Sequence, residues 1–270
     1  MPELPEIHCL AEQMNHVLPG KTIAAVSVRQ PKCLNLPVPE FTRVLVKRRV
    51  GPVTSRGKWV FVSLRPEAHF LLNLGMGGEV RYHAPGESLP EKWQVALSFA
   101  DKSSLSLAFW WFGYAHAVPG GALASHHMTA SLGLDPLNDG EFTYPRFSDL
   151  LRGRKGAVKS LLLDQTKIAG IGNVYIQDIL FHAGLHPHRR IPEITEPERK
   201  RLFAALRKDL RAAIRLGGLE YERDLYGRRG RLKDFLVGYR EGSPCPTCGT
   251  TVEKIKTGST ASYICPHCQT

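Results

Sequence analysis

Cys245-Pro246-Thr247-Cys248 and Cys265-Pro266-His267-Cys268 are two Cys-x-x-Cys pairs, sixteen residues apart, near the end of the sequence. The spacing predicts a tetrahedral four-cysteine zinc ribbon on a β-hairpin. Pro246 and Gly249 favour the tight turns that bring two thiolates onto one ion. Four thiolates leave no open coordination position, so the single Zn2+ is expected to be structural. Two disulfides are the competing arrangement, and a reducing cytoplasm disfavours them. The remaining cysteines, Cys9 and Cys33, stand alone in apolar contexts and are expected to be small buried residues.

Upstream of the hairpin, residues 219–242 read as a basic connector carrying Tyr221, Tyr226 and Tyr239. Residues 146–217 are helical in pattern. One helix contains Val158, Leu161, Leu162 and Leu163, and a tight Ala169-Gly170-Ile171-Gly172 turn follows. A second helix is expected from Asn173 to near Gly184. A third is expected over 196–216, with Pro197 at its start, Gly217-Gly218 at its end and a buried stripe of Leu202, Phe203, Leu206, Leu210 and Ile214.

Ahead of a Gly-, His-, Asp- and Pro-rich stretch at 119–145, the pattern changes to short β-branched and aromatic runs at 22–28, 59–64, 70–74, 79–82, 95–99 and 104–112. These predict a β-sandwich. A helix over 6–18 packs beside it, with Ile7, Leu10, Ala11, Met14, Val17 and Leu18 on one face. The expected organisation is a multidomain α+β chain: a sandwich domain at 1–120, a linker at 121–145, a helical domain at 146–222, the basic connector at 223–242 and the zinc finger at 243–270.

The 36 basic residues outnumber the 25 acidic ones, giving a net charge of +11 and a pI near 9.5. Such a bias points to a polyanionic partner, of which nucleic acid is the commonest. No run approaches the roughly 18 apolar residues of a membrane span. The N-terminus lacks a basic segment followed by an apolar one, so cytoplasmic residence is expected and a membrane partner is not.

The chain begins Met1-Pro2-Glu3-Leu4-Pro5-Glu6. Proline is small enough for the initiator methionine to be removed, which leaves a free secondary amine at Pro2. A terminal α-amine has a pKa of about 7.7–8.0, far below the roughly 10.4 of lysine, so part of it is neutral and nucleophilic at neutral pH. Its attack on an aldehyde-level carbon yields an iminium, an electron sink. Glu3, beside the amine, is placed to shuttle protons.

These features occur in one order along the chain: the Met-Pro-Glu-Leu-Pro-Glu-Ile start, Ser55-Arg56-Gly57-Lys58 before a strand, Leu74-Gly75-Met76-Gly77-Gly78, Ile168-Ala169-Gly170-Ile171-Gly172-Asn173-Val174-Tyr175 between two helices, and the cysteine hairpin. Together they resemble the formamidopyrimidine-DNA glycosylase / endonuclease VIII family over essentially the whole sequence. The resemblance implies a β-sandwich, a helix–two-turn–helix domain and a zinc finger, with DNA in the cleft between domains. It also implies base excision followed by β,δ-elimination. Pro2 takes the role of the nucleophile on C1′, Glu3 that of the proton-transfer residue, Glu6 that of a supporting glutamate and Lys58 that of a lysine near the lesion. Lys159 and Asn173 match phosphate-binding positions. Met76 matches the residue that fills the gap left by the extruded base, a role made necessary because a base must leave the stack before its sugar is attacked. Double-stranded DNA with a damaged base or abasic site is the implied partner, and a nucleoid-associated monomer is expected. Apart from the resemblance, Asn173 reads as a helix N-cap, Lys159 as a solvated helix lysine and Met76 as a core methionine.

The chain departs from the family pattern in several places. His8 stands where glutamate is usual. Trp110-Trp111-Phe112 occupies the second wedge loop, where Arg-Arg-Phe is the pattern. A tryptophan can stack on bases but lacks the forked donors that let arginine choose cytosine. On a continuous strand, however, one of two adjacent tryptophans would face the core. At the tip of the finger, Thr260 occupies the position of a phosphate-gripping arginine, with Lys256 nearby as a compensating cation. The competing functions are a non-catalytic damaged-DNA-binding protein, or a lyase alone, on the same scaffold, and a zinc-ribbon RNA-binding protein.

Overall fold

The computed structural model describes residues 1–270. The chain divides into two compact units. Met1–Ser131 with Leu216–Leu232 form the first, and Leu132–Arg215 with Lys233–Thr270 form the second.

The first unit opens with α1 (Leu4–Val17), followed by β1 (Ile23–Val28), α2 (Val38–Leu45), β2 (Arg49–Arg56), β3 (Trp59–Arg65), β4 (Ala68–Asn73), β5 (Glu79–His83), β6 (Val95–Phe99), β7 (Ser104–Ala108) and β8 (Tyr114–Pro119). The strands form two four-stranded antiparallel sheets, ordered β1-β6-β7-β5 and β2-β3-β4-β8. Both contribute to one core with α1 and α2, in which Met14, Phe41, Leu45, Val60, Phe70, Leu72, Val95 and Leu107 are buried. This is the expected sandwich with a flanking helix.

Three elements escape the sequence pattern. β2 contains Gly51-Pro52, which reads as a turn, yet the strand continues through an irregularity between Val50 and Val53 in its pairing with β3. β8 (Tyr-Ala-His-Ala-Val-Pro) is buried at four consecutive positions and so shows no alternation. α2 is a short helix following Pro37. β7 ends at Ala108, short of the expected 112.

Leu216–Leu232 is built into this unit. Leu225 joins the core, its N–H donates to Gln13 Oε1 at 3.0 Å, and its carbonyl accepts from Tyr82 N–H at 3.1 Å.

The second unit contains α3 (Tyr144–Leu151), α4 (Val158–Leu163), α5 (Ile176–Ala183), α6 (Glu196–Arg215) and the hairpin β9 (Glu253–Thr257)/β10 (Thr260–Ile264). Phe142, Phe147 and Phe203 pack as a ring cluster between α3 and α6. Leu202, Leu206 and Leu210 of the predicted stripe are buried, whereas Phe203 and Ile214 are partly so. α5 ends at Gly184, whose left-handed φ of 69° closes the helix. It begins at Ile176 rather than at Asn173, which lies in the turn before it. No helix is long and apolar enough to cross a membrane.

Candidate functional site

α1 starts at a proline-rich hexapeptide because proline suits the first helical turn, where its missing N–H is not needed. Glu3 is the N-cap and forms a capping box with Glu6. The Glu6 Oε2 accepts the Glu3 N–H at 2.9 Å, and its Oε1 accepts the Leu219 N–H at 3.0 Å. Both carboxylate oxygens are therefore committed to backbone donors, so Glu6 fixes the helix start and the 216–232 segment at once. Gly218 permits this approach: its φ is +82°, and a Cβ there would meet Glu6 Oε1 at 2.6 Å. Pro2, Glu3 and Glu6 are all buried, and the terminal nitrogen of Met1 lies 3.4 Å from Glu222 Oε1.

Lys58 sits in the two-residue turn between β2 and β3, where Gly57 supplies the positive φ of 59° that such a turn requires. Burial holds the Lys58 pKa below the usual lysine value, opposed by the carboxylates of Glu3 and Glu6. Glu3, Glu6 and Lys58 thus share one electrostatic environment in the first unit. His8 lies 3.5 Å from Ser55 Oγ, on the strand leading into that turn.

Met76 and Trp111 are joined by two backbone hydrogen bonds of 2.8 and 3.1 Å. Gly75 makes the contact possible, because a Cβ there would fall 2.0 Å from the Trp111 carbonyl oxygen. Gly77 lies under the Trp110 ring. Since β7 has already ended, both tryptophans leave the core: Trp110 is 79% exposed, Trp111 54%, Phe112 68% and Met76 46%. Neither tryptophan, nor Met76, takes the core alternative. Phe112 also holds a φ of +55°, a costly conformation for an aromatic residue and one that turns its ring outward.

A cluster that sequence reasoning missed lies on β8 and the following loop. Trp59, next to Lys58, stacks on Tyr114 at 6.0 Å and meets the rings of His116 and His126. His116 Nδ1 lies 2.9 Å from His126 Nε2, and His126 Nδ1 lies 2.9 Å from Thr129 Oγ1. Burial, with the neighbouring His126 and His127, pushes His116 down to about 4. The His126-His127 dipeptide was the available signal.

In the second unit, Lys159 corrects the solvated-lysine reading. It is 3% exposed. Its Nζ donates to Ser262 Oγ (2.7 Å), Thr257 Oγ1 (2.8 Å), the Ala261 carbonyl (3.0 Å) and Thr260 Oγ1 (3.1 Å), all in the hairpin tip. Burial pulls its pKa down to about 8. Thr260 is occupied as well, since its hydroxyl donates to the Thr257 carbonyl at 3.1 Å while accepting from Lys159. Asn173 is not an N-cap. Its carbonyl and side-chain oxygens accept from Gln177 Nε2 at 2.7 and 3.2 Å, and Gln177 Oε1 accepts the Tyr263 N–H at 3.0 Å. Lys159, Asn173 and Thr260, predicted separately, therefore belong to one network around the hairpin, while Lys256 is exposed on β9.

The four predicted metal ligands converge. The sulfurs of Cys245, Cys248, Cys265 and Cys268 all lie within 4.8 Å of one another, with individual separations of 3.4, 3.5 and 3.9 Å. Tetrahedral thiolates about 2.3 Å from zinc would sit about 3.8 Å apart, so the donor set fits the ion. A disulfide would require about 2.05 Å. Of the remaining cysteines, Cys33 is buried as expected and Cys9 only partly so, and burial pushes both thiols up to about 11.

Comparison with known proteins gives a consistent picture. Residues 1–109 match the formamidopyrimidine-DNA glycosylase N-terminal domain, 132–223 its H2TH domain, and 242–270 the zinc finger found in FPG and IleRS. The chain is 34% identical to the formamidopyrimidine-DNA glycosylase of Pelotomaculum thermopropionicum, covering 100% of this chain and 99% of that one. It is 35% identical to that of a Roseiflexus species over 100% of both. The Lactococcus lactis Fpg (MutM), solved in complex with DNA containing N7-benzyl-Fapy-dG, superposes with a TM-score of 0.91 at 23% identity, over 99% of each chain.

Proposed function

The chain belongs to the formamidopyrimidine-DNA glycosylase family, and from that premise we propose that it excises damaged bases from DNA and then cleaves the strand at the abasic sugar. The observation that carries the reading is the start of α1: a buried Pro2 flanked by the buried carboxylate of Glu3, within the field of Lys58.

In the chain freed of Met1, the Pro2 amine attacks C1′ of the damaged nucleotide, and the base departs as the C–N bond to Pro2 forms. Opening of the sugar yields an iminium that acidifies the neighbouring carbon, and elimination of the phosphates follows. Glu3 exchanges protons with the sugar. Glu6 holds the helix start in place, and Lys58, its positive charge disfavoured by burial, serves the proton traffic beside Glu3.

Met76, Trp110, Trp111 and Phe112 enter the stack where the damaged base has left. None offers a forked donor pair, and an indole carries a single N–H. The enzyme is therefore read as tolerant of the base opposite the lesion, with oxidised pyrimidines or a broad lesion set as substrates. Asn173, Lys256 and the backbone of the hairpin tip approach phosphates, and Lys159 sets the shape of that tip. The structural zinc is read as one ion per chain. The protein acts as a monomer, in the cytoplasm with the nucleoid.

The test is strand cleavage on a panel of duplexes carrying an oxidised purine, an oxidised pyrimidine or an abasic site. Cleavage of a base-containing duplex supports the reading. Cleavage of abasic DNA alone reduces it to a lyase, and binding without cleavage leaves only a damage-binding protein.

A further inference from the structure

Three loops of the first unit meet at one end of the β2-β3-β4-β8 sheet. They are the Gly57-Lys58 turn between β2 and β3, the 74–78 loop that carries Met76 after β4, and the 109–113 loop ahead of β8. The register brings them together: Arg56 pairs with Trp59, Val60 with Leu72, and Asn73 with Tyr114. Asn73 Oδ1 also accepts the Gly75 N–H at 3.0 Å, at the root of the Met76 loop.

The 109–113 loop is held at three points. At its start, the Phe109 N–H donates to Gln94 Oε1 at 2.7 Å, and the Phe109 carbonyl accepts from Gln94 Nε2 at 3.1 Å. In its middle, Trp111 is bonded to Met76 through both backbone groups. At its end, the Tyr114 ring stacks on Trp59, with centroids 6.0 Å apart and planes 19° from parallel. The third hold reaches further than the others. Trp59 directly follows Lys58, and Tyr114 is the second residue after Phe112. One ring pair therefore joins the wedge loop to the lysine turn.

Little freedom is left to that pair. Val60 points into the sandwich core, so Trp59 lies on the opposite face of β3, where it is buried all the same. The rings of His116 and His126 close over it at 5.7 and 5.8 Å. Gly113 keeps the approach to Tyr114 tight, since a Cβ there would meet Phe109 Cδ1 at 2.0 Å.

We propose that Trp59 and Tyr114 are positioning residues that couple the wedge to Lys58. The proposal rests on the reading of Met76 and Trp110-Trp111-Phe112 as the wedge and of Lys58 as a group that serves the reaction. When the wedge seats among the bases, the 109–113 loop fixes Tyr114, the stack fixes Trp59, and the two-residue turn leaves no slack before Lys58. The seated wedge and the placed lysine are then one state of the enzyme. A wedge that fails to seat leaves the lysine out of position, so cleavage waits for complete extrusion of the nucleotide.

The experiment follows strand cleavage of an abasic-site duplex under single turnover, with the full-length enzyme in saturating excess and well below its thermal midpoint. Affinity is measured in parallel on a duplex with an uncleavable tetrahydrofuran site. The variants are Tyr114→Ala, Tyr114→Phe, Phe112→Ala and the Tyr114→Ala/Phe112→Ala double. Tyr114→Ala is expected to slow cleavage about three- to tenfold, the worth of one aromatic pair. Its affinity should stay within about twofold of wild type, because the loss falls on the chemical step. Tyr114→Phe keeps the ring and should cleave at the wild-type rate. In the double variant the loss should fall short of the product of the single losses by about threefold or more, since either change alone breaks the same linkage. If Tyr114→Ala does not fold, Tyr114→Leu takes its place with the same pattern expected. Single losses that simply multiply, a Tyr114→Phe as slow as Tyr114→Ala, or wild-type cleavage by Tyr114→Ala each overturn the proposal. Phe112→Ala that cleaves like wild type overturns the wedge reading and the coupling with it. Wild-type protein that leaves the abasic duplex uncut overturns the lyase reading instead.

Discussion

Glu6 Oε1 accepts a hydrogen bond from the Leu219 N–H at 3.0 Å, across 213 residues of chain. Through that bond the N-terminal helix cap and the 216–232 segment behave as one piece of the first unit. Gly218→Ala tests it, since a Cβ would meet Glu6 Oε1 at 2.6 Å on a backbone of positive φ. The expected cost is about 1–3 kcal/mol in urea unfolding, from backbone strain and a displaced buried carboxylate. Strand cleavage should fall with it, because the same displacement loosens Glu3.

Lys159 and Lys256 should separate cleanly in a salt titration of DNA binding. Lys256→Ala, which removes an exposed cation, lowers the slope of log K against log salt by about 0.9. Lys159→Met leaves that slope close to wild type, because the ammonium is committed to four acceptors in the hairpin tip. It should instead speed hydrogen exchange through β9 and β10. Equal slope changes in the two variants would contradict the assignment of Lys159 to the hairpin.

The exposed wedge predicts weak discrimination of the opposite base. An arginine fork is worth about 1–3 kcal/mol of discrimination, so without one the single-turnover rates opposite the four bases should stay within about tenfold of each other. Trp111→Ala should weaken binding by about 1–3 kcal/mol, the worth of one base–aromatic stack, almost equally for all four. A strong preference for cytosine in the wild type would refute this account of the loop.

The buried histidines predict an acid sensitivity. His116 is held down to about 4, below its ordinary value, so the unfolded chain binds the extra proton first. Its contribution to stability is complete above about pH 6.5 and is lost as pH falls toward 4. Thermal midpoints of wild type and His116→Phe should therefore converge as the pH drops through that window. Parallel curves would show that His116 does not titrate in this way.

Chelation of the zinc should melt the hairpin before the sandwich, because the apolar core around the four thiolates is small, with Phe181, Val237 and Val252 as its members besides the cysteines. Native mass spectrometry should find one zinc per chain before chelation and none after it.

Much of this architecture is written in local pattern. The cysteine spacing, the α1 stripe and the alternating strands each report their own surroundings. What was not legible depends on partners distant in sequence. Gly51-Pro52 reads as a turn unless the irregular pairing of β2 with β3 is known. The direction of Trp110 and Trp111 turned on where β7 stops, which Gly75 and Gly77 across the loop permit. Lys159 looked solvated because its four acceptors lie 98 to 103 residues away. Glu222 carried no signal at all, since only the folding of 216–232 onto α1 brings it to the N-terminus.

Borohydride trapping with peptide mapping reads out whether the amine of Pro2 is the nucleophile. Wild-type protein lacking Met1 should yield a covalent adduct with abasic-site DNA, with the added sugar mass on the peptide that begins at Pro2. The same chain with an uncleaved residue before Pro2 should yield none. An adduct that maps to Lys58 or another lysine, or one that survives when the terminus is blocked, would contradict the account.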